Sequence, residues 1–534
     1  MYSNSYQKRC ADFEWNIPAT FNFGTDVVDE LAAHADGTAL LWENTEGESA
    51  SYTFSEIAKA TDSLAQVLRD AGLRKGDRII VMLPRIPAWP ISMVAALKIG
   101  AVPIPCIEML TRQDLTFRID HSGARGVICR TSQVEKFSEI TDKLPVRVAV
   151  GGASEWIDYD QAVQTPTESF KAAVVEAEEP AVMYYTSGST GHPKGVLHSS
   201  RALYAWHASA DHWLNVSHGD RIWCTADTGW SKAGTSILFG PWARGACSLL
   251  YDGPFDVSKR LELLAKHRIN VYCAPGTELF RMVDEDMSGT DLSALRRAVS
   301  AGEAVSPIIA QRWEKTMNIP IAEAYGQTEA LMLVLNIPGE PVKYGSMGLP
   351  APGSTVDILD AKGNRCADNV EGTIAVKVPN PQLMLGYWQD TERTQSVFVD
   401  SDNSRWYLTG DRAYRDEDGY LWFGGRDDDL INSSGYRIGP MEVENVLLEH
   451  VAVQECAVVG SPDDERGEVV KAFVVLRQGF DGTENLVTEL QAHAKALTAP
   501  YKYPRRIEFV SELPRTLTGK IRRRALRDRE FQSE

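Results

Sequence analysis

Ala181-Val-Met-Tyr-Tyr-Thr-Ser-Gly-Ser-Thr-Gly-His-Pro-Lys-Gly195 is the stretch on which the reading of the chain turns. Its first five residues are an apolar run with strand character. The next ten form a polar loop. Gly188, Gly191 and Gly195 let backbone N–H groups approach a ligand closely, and Thr186, Ser187, Ser189 and Thr190 add hydroxyl donors. His192 and Pro193 lead into Lys194, a mobile positive charge. Donors of these kinds in one loop suit a polyphosphate. The G-x-x-x-x-G-K-[ST] spacing of a Walker A loop does not fit. A Gly/Ser/Thr stretch alone reads as a surface loop; this string directly behind a strand reads as a binding loop.

On either side of that loop the chain alternates strands with helices. Thr53-Phe-Ser-Glu56 fits a capping box, and Ile57, Ala60, Leu64, Val67 and Leu68 recur at helical spacing until Gly72. Residues 78–83 read as a buried strand, 91–99 as a helix stopped by Gly100, and 126–129 as another strand. Residues 201–213 read as helix; 271–273 and 297–300 read as strands. Such alternation points to parallel β/α layers. Beyond about residue 350, short β-like segments such as 372–378 and 420–423 lie between turns. From about 428 a compact α+β pattern begins: a helix over 441–449, strands near 454–459 and 471–476, and a helix over 486–497. The expected fold is α/β. A large N-terminal domain, residues 1–427, combines layered β/α subdomains with a β-barrel-like subdomain, and a small mobile α+β domain covers 428–534.

Composition narrows the function classes. Lys plus Arg is 55 against 73 Asp plus Glu, a net charge of −18, which argues against a primary role on nucleic acid. A basic stretch from Lys502 to Arg529 reads either as a solvated helix face or as a site for a phosphate-bearing ligand. The eight cysteines form no C-x-x-C pair and no His cluster has zinc spacing, so reduced thiols of a cytoplasmic protein are expected. Residues 1–10 lack the apolar core of a signal peptide, and no run approaches the ~18 apolar residues of a spanning helix.

Five motifs in order then carry a resemblance. They are Thr186–Gly195, Glu323-Ala-Tyr-Gly-Gln-Thr-Glu329, Tyr407-Leu-Thr-Gly-Asp411, the run from Gly425 to Pro440, and Pro514-Arg-Thr-Leu-Thr-Gly-Lys520. With them the chain resembles the AMP-forming acyl-CoA synthetases of the adenylate-forming superfamily, over roughly residues 30–525. Asp227-Thr-Gly-Trp230, Ala301-Gly-Glu303, Ser434-Gly-Tyr-Arg437 and Pro500-Tyr-Lys-Tyr-Pro504 look most like the medium-chain members. Asn432 departs from the Lys usual in luciferase-like and aryl ligases.

The resemblance implies two half-reactions: a carboxylate attacks the α-phosphorus of ATP, releasing pyrophosphate, and the coenzyme A thiol then displaces AMP. It makes Lys520, Thr328, Glu329 and Lys194 the catalytic candidates. Lys520 would bridge carboxylate and phosphate, Thr328 would contact the α-phosphate and Glu329 would hold Mg²⁺. Alone, Glu329 reads as the N-terminal charge of a helix over residues 330–335. The residues of the 186–194 loop, Thr186, Ser187, Gly188, Ser189, Thr190, Gly191, His192, Pro193 and Lys194, would cradle phosphate. Gly302, Glu303, Ala304, Glu323, Ala324, Tyr325, Gly326 and Gln327 would wall the adenine, with Tyr325 stacked on it. Asp411 would accept from both ribose hydroxyls, and Arg426 would complete the ribose or phosphate contacts.

For coenzyme A the candidates are Ser434, Gly435, Tyr436, Arg437, Arg466 and Arg505, with Asp428 as the hinge on which the small domain pivots. For the acyl group they are Trp206, His207, Trp230, Gly234, Ala301, Gly326 and Leu331. No basic residue stands out there, which favours a neutral hydrophobic acid, whether medium-chain, branched or cyclic. Expected partners are that acid, ATP and coenzyme A; homo-oligomerisation stays open. An adenylating enzyme that loads a carrier protein or another acceptor is the alternative, although no carrier-like domain follows residue 534. A nucleotide-binding regulator without catalysis is the reading from another class, disfavoured because Lys520, Glu329 and Lys194 are all present.

Overall fold

The computed structural model describes residues 2–167, 170–186, 193–285, 287, 289–401, 403–426, 429, 431–433, 436–463, 466–498, 502–515 and 521–532, with 432, 436 and 437 as backbone alone. It is a mixed α/β chain with a large N-terminal body and a small C-terminal unit.

Two sheets build the body's layers. The larger has nine strands, in the order Leu349–Pro350, Leu331–Leu335, Ile321–Gln327, Arg297–Ala301, Val271–Cys273, Arg221–Cys224, Cys247–Asp252, Thr38–Asn44 and Ser49–Thr53. Its six middle strands, from Ile321–Gln327 to Thr38–Asn44, run parallel and the edges antiparallel. The second sheet is all parallel and centres on Arg78–Met82 and Gly126–Arg130. Helices connect the layers. Helix Phe54–Asp70 starts at the expected capping box of Thr53 and Glu56 and buries Phe54, Ile57, Leu64 and Leu68. Helix Ala88–Ile99 is buried throughout and ends on Gly100, at φ +76°, a conformation that favours glycine.

Two segments differ from the sequence reading. Strand Pro180–Thr186 does not enter a β/α unit; it pairs antiparallel with Lys194–Ser199, which pairs in turn with Gly386–Tyr387. The loop between the first two strands, residues 187–192, lies outside the described residues. Residues 331–335 form a strand, not a helix, antiparallel to Ile321–Gln327. The two strands come so close that a Cβ at Gly326 would lie 1.7 Å from the Leu331 carbonyl oxygen, so only glycine fits. Leu331 itself sits at φ +52°, an uncommon conformation for a branched side chain, in the turn behind Glu329.

Residues 356–426 form an antiparallel sheet around the long strand Ser404–Arg415, which pairs with Gly372–Val378, Phe398–Ser401 and Leu421–Arg426. The C-terminal unit has its own sheet, built on the hairpin Val453–Asp463/Gly467–Leu476, and helices Pro440–Leu448, Glu484–Leu497 and Arg523–Gln532. Ile431, Val443, Leu447, Val458, Val470, Val474 and Leu490 give it a separate core. Its basic stretch is laced with ion pairs: Arg506–Asp463, Arg515–Glu455, Arg523–Glu444, Arg527–Glu468 and Arg529–Glu508.

Candidate active site

A cleft of about 860 Å³ opens between the body and the C-terminal unit, ample for a nucleotide. It lies at the carboxyl ends of the parallel strands Arg297–Ala301 and Ile321–Gln327, where open α/β sheets bind ligands. Gly302, Glu303 and Ala304 line it after the first strand, and Glu323 through Glu329 line it along the second and just beyond. Thr186 and Lys194 border it from the hairpin, Asp411 and Arg426 from the antiparallel sheet. Segments 225 residues apart in the chain, from Thr186 to Asp411, thus share one cavity wall.

Its centre is a cluster of charges. Lys194 Nζ stands 2.8 Å from Glu329 Oε1. The Tyr387 hydroxyl donates to the same oxygen at 2.9 Å and accepts from Lys194 at 3.0 Å. Burial alone would raise the Glu329 carboxyl; the Lys194 ammonium and the Tyr387 hydroxyl bring it below its ordinary value. One ionised carboxylate beside a nucleotide-sized cleft fits Mg²⁺ shared with substrate phosphates. Next to it, the Thr328 hydroxyl is 3.3 Å from Ser231 Oγ, and the Thr328 carbonyl is 2.6 Å from His198 Nε2.

A second polar cluster in the cleft is built around Asp411. Tyr325 Oη donates to Asp411 Oδ2 at 2.6 Å, Gln327 Nε2 donates to the same atom at 2.5 Å, and Arg426 Nε lies 3.7 Å from Oδ1. Burial raises the Asp411 carboxyl against these donors. The Tyr325 ring is pinned by that bond and by Phe423, 6.3 Å away. Glu323 accepts the Val305 N–H at 2.8 Å, and burial pushes its carboxyl up to about 8.

From the C-terminal unit, Met441, Glu444, Asn445, Glu455 and Arg477 face the same cleft, and Arg477 lies over the Phe280 ring at 5.5 Å. Arg515 and Ile521 also line it, and bridge to each other. They flank residues 516–520, so Lys520 lies outside the described residues, as do Ser187, Gly188, Ser189, Thr190, Gly191, His192, Asp428, Ser434 and Gly435. Tyr436 and Arg437 are described only as strand backbone, paired with Ser433 and Asn432. Arg505 donates to the Tyr503 hydroxyl at 2.9 Å, and the Arg466 N–H is capped by Asp463; neither is among the described residues that line the cleft.

Of the acyl candidates, Gly326 lines the cleft. Trp230 is partly buried against the cluster of Cys106, Ile107 and Tyr185. At Gly234 a Cβ would sit 2.2 Å from the Tyr184 hydroxyl, so this glycine makes room for a core tyrosine. Ala301, Leu331 and Trp206 are buried, and His207 Nδ1 meets the Tyr204 carbonyl. Three residues that sequence reasoning passed over stand close by: Tyr387, His198 and Lys232. Lys232, two positions after Trp230, donates to the Ala301 carbonyl at 3.0 Å and puts a positive charge among the acyl candidates. No local pattern marks Tyr387, which arrives from a two-residue strand.

The sequence pattern of the AMP-binding enzymes matches residues 28–388, and that of the AMP-binding enzyme C-terminal domain matches residues 442–520. An uncharacterized acyl-CoA ligase of Bacillus subtilis, YtcI, is 41% identical over 519 residues, covering 96% of this chain and 97% of that one. The human mitochondrial acyl-coenzyme A synthetase ACSM3 is 37% identical over 549 residues, covering 99% and 93%. Among solved structures, an anthranilate CoA ligase, AuaEII, in complex with anthranoyl-AMP superposes with a TM-score of 0.88 at 27% identity, covering 98% of each chain.

Proposed function

From the premise that the chain belongs to the family of AMP-binding enzymes, we infer that it is an AMP-forming acyl-CoA synthetase, joining a carboxylic acid to coenzyme A through an acyl-adenylate and releasing pyrophosphate. The carrying observation is that one cleft unites Lys194, Glu329, Thr328, Asp411 and Arg426, a set able to grip triphosphate, metal and ribose together. Its relatives named above are acyl-CoA ligases and synthetases.

In the first half-reaction, Asp411 and Arg426 hold the ribose while the segments around Gly302 and Glu323–Gly326 wall the adenine. Lys194 leaves Glu329 for the phosphates; Glu329 would hold Mg²⁺, which would supply charge to offset that of the triphosphate. The Thr328 hydroxyl meets the α-phosphate, and Lys520 draws the attacking carboxylate to it. Fixed donors and positive charges aimed at developing anionic oxygens are the main source of rate here. For the second half-reaction the unit from Asp428 onward turns and brings Ser434, Gly435, Tyr436, Arg437, Arg466 and Arg505 to coenzyme A. Support for a moving unit comes from its separate core and from the cleft that divides it from the body. The acid we favour is medium-chain, branched or cyclic; Lys232 extends that range to acids bearing a hydrogen-bond acceptor. An apolar pocket separates homologues by only ~1–3 kcal/mol per methylene, so several acids should react. Eight free cysteines suit a reducing compartment such as the cytoplasm; among the described residues no helix is long and apolar enough to cross a membrane.

A panel of carboxylic acids scored by coenzyme A-dependent AMP release tests the reading. AMP and thioester should appear in equal amounts with at least one class of acid. ADP as the product, or nucleotide cleavage indifferent to acid, would contradict it.

A further inference from the structure

Strand Lys194–Ser199 is tied twice to one dipeptide. At its start Lys194 meets the Glu329 carboxylate at 2.8 Å. Four residues on, His198 Nε2 stands 2.6 Å from the carbonyl oxygen of Thr328, which belongs to the peptide bond joining Thr328 to Glu329. The His198 side chain is fully buried, edge-on to Trp206 at 5.2 Å and near Tyr184. Its Nδ1 has no partner among the described residues. A carbonyl can only accept, so the ring proton sits on Nε2. Burial lowers the imidazole to about 4 despite the Thr328 carbonyl, and the ring stays neutral at physiological pH.

The turn that His198 grips needs holding. It links two antiparallel strands across the close approach at Gly326 and runs into Leu331, the first residue of the second strand, at φ +52°. The Glu329 carbonyl is held from the other side by the Met384 N–H at 2.8 Å. Without His198 the part-buried Thr328 carbonyl would lose its side-chain donor, which favours rotation of the peptide. Such a rotation would re-aim both the Thr328 hydroxyl and the Glu329 carboxylate.

We propose that His198 is a positioning residue for adenylation: its Nε2–H donates to the Thr328 carbonyl and fixes the peptide that presents Thr328 to the α-phosphate and Glu329 to Mg²⁺. The proposal rests on the ligase reading for those two roles. It differs from plain core packing, which a leucine of similar size would serve as well.

His198→Leu removes the donor, and His198→Gln restores an N–H at nearly the reach of Nε2. The partners that orient a metal-binding carboxylate typically matter by roughly 10–100-fold, so His198→Leu should lose that much in Mg²⁺-dependent ATP affinity by calorimetry and in kcat for pyrophosphate exchange. The KM for the acid should stay put, and His198→Gln should regain most of the loss at a matching unfolding temperature. Wild-type affinity in His198→Leu, or a Gln variant as poor as Leu, overturns the proposal. Histidine ¹⁵N shifts of the intact protein should show the ring whose signals are lost in His198→Gln as the neutral Nε2–H tautomer from about pH 5.5 to 9; an Nδ1–H form of that ring overturns it too. Failure of the wild-type chain to exchange pyrophosphate would refute the ligase reading instead, and the calorimetric and ¹⁵N results would still judge His198.

Discussion

Asp411→Asn tests the proposed ribose contact apart from the rest of the cleft. A carboxylate offers about four lone-pair sites. Two are spent inside the protein, both on Oδ2, to the Tyr325 hydroxyl at 2.6 Å and the Gln327 amide at 2.5 Å. About two acceptors remain, as many as a vicinal diol can use. An asparagine with its oxygen toward Tyr325 and Gln327 keeps the inner pair and turns an NH₂ toward the ribose. Two bonds to a charged acceptor, ~1.5–3 kcal/mol each, give way to one neutral bond of ~1 kcal/mol. The net loss of about 3 kcal/mol corresponds to roughly 150-fold in kcat/KM for ATP. Pyrophosphate exchange measured with ATP and with 2′,3′-dideoxy-ATP forms the cycle. Wild type, losing both bonds, should discriminate against the dideoxynucleotide by about 4 kcal/mol, roughly 10³-fold, and the variant, losing one neutral bond, by only about fivefold. A variant that still rejects dideoxy-ATP, or keeps the wild-type kcat/KM, would refute the assignment of Asp411 to the ribose.

Other expectations reach other parts of the molecule. Lys520→Ala should slow adenylation by roughly 10²–10³ yet leave thioester formation from supplied acyl-AMP intact, as single-turnover assays of each half would reveal. Asp428→Pro should stiffen the hinge and slow the second half-reaction more than the first; equal rates in both halves would count against a moving unit. Burial by itself raises the Glu43 carboxyl, but hydrogen bonds from Lys266, Lys259 and His267 carry it down from 4.5 to about 2. That pairing stabilises the fold above pH 4.5 and is lost as pH falls toward 2. Acid unfolding curves of Glu43→Gln should therefore lack that part of the slope and start from a lower stability at neutral pH.

Local features were legible in the sequence. The Thr53–Glu56 box and the glycine stop at Gly100 depend only on neighbours within a turn, and both stand as read. Partners far along the chain were not. The apolar run 181–185 is a strand as expected, but nothing in it says that the chain returns as a hairpin at Lys194. Residues 330–335 read as a helix because Leu-Met-Leu-Val-Leu has no period to separate helix from buried strand. The close approach at Gly326 decides for the strand, and that approach is tertiary. In the site, the family resemblance singled out Lys194, Glu329, Asp411 and Arg426. Tyr387, His198 and Lys232 carry no such mark, since each gains its meaning from a group at least 58 residues away. The basic stretch near the C-terminus meets acids as far apart as Glu442 and Glu508, which charge counting along the sequence cannot pair.

Exchange of labelled pyrophosphate into ATP, with Mg²⁺ and carboxylic acid present and coenzyme A left out, addresses the two-step chemistry most directly. Label should enter ATP only when a suitable acid is added, because the acyl-adenylate forms and reverts before any thiol arrives. Exchange that demands coenzyme A, or none with any acid, would contradict a mechanism that passes through an acyl-adenylate.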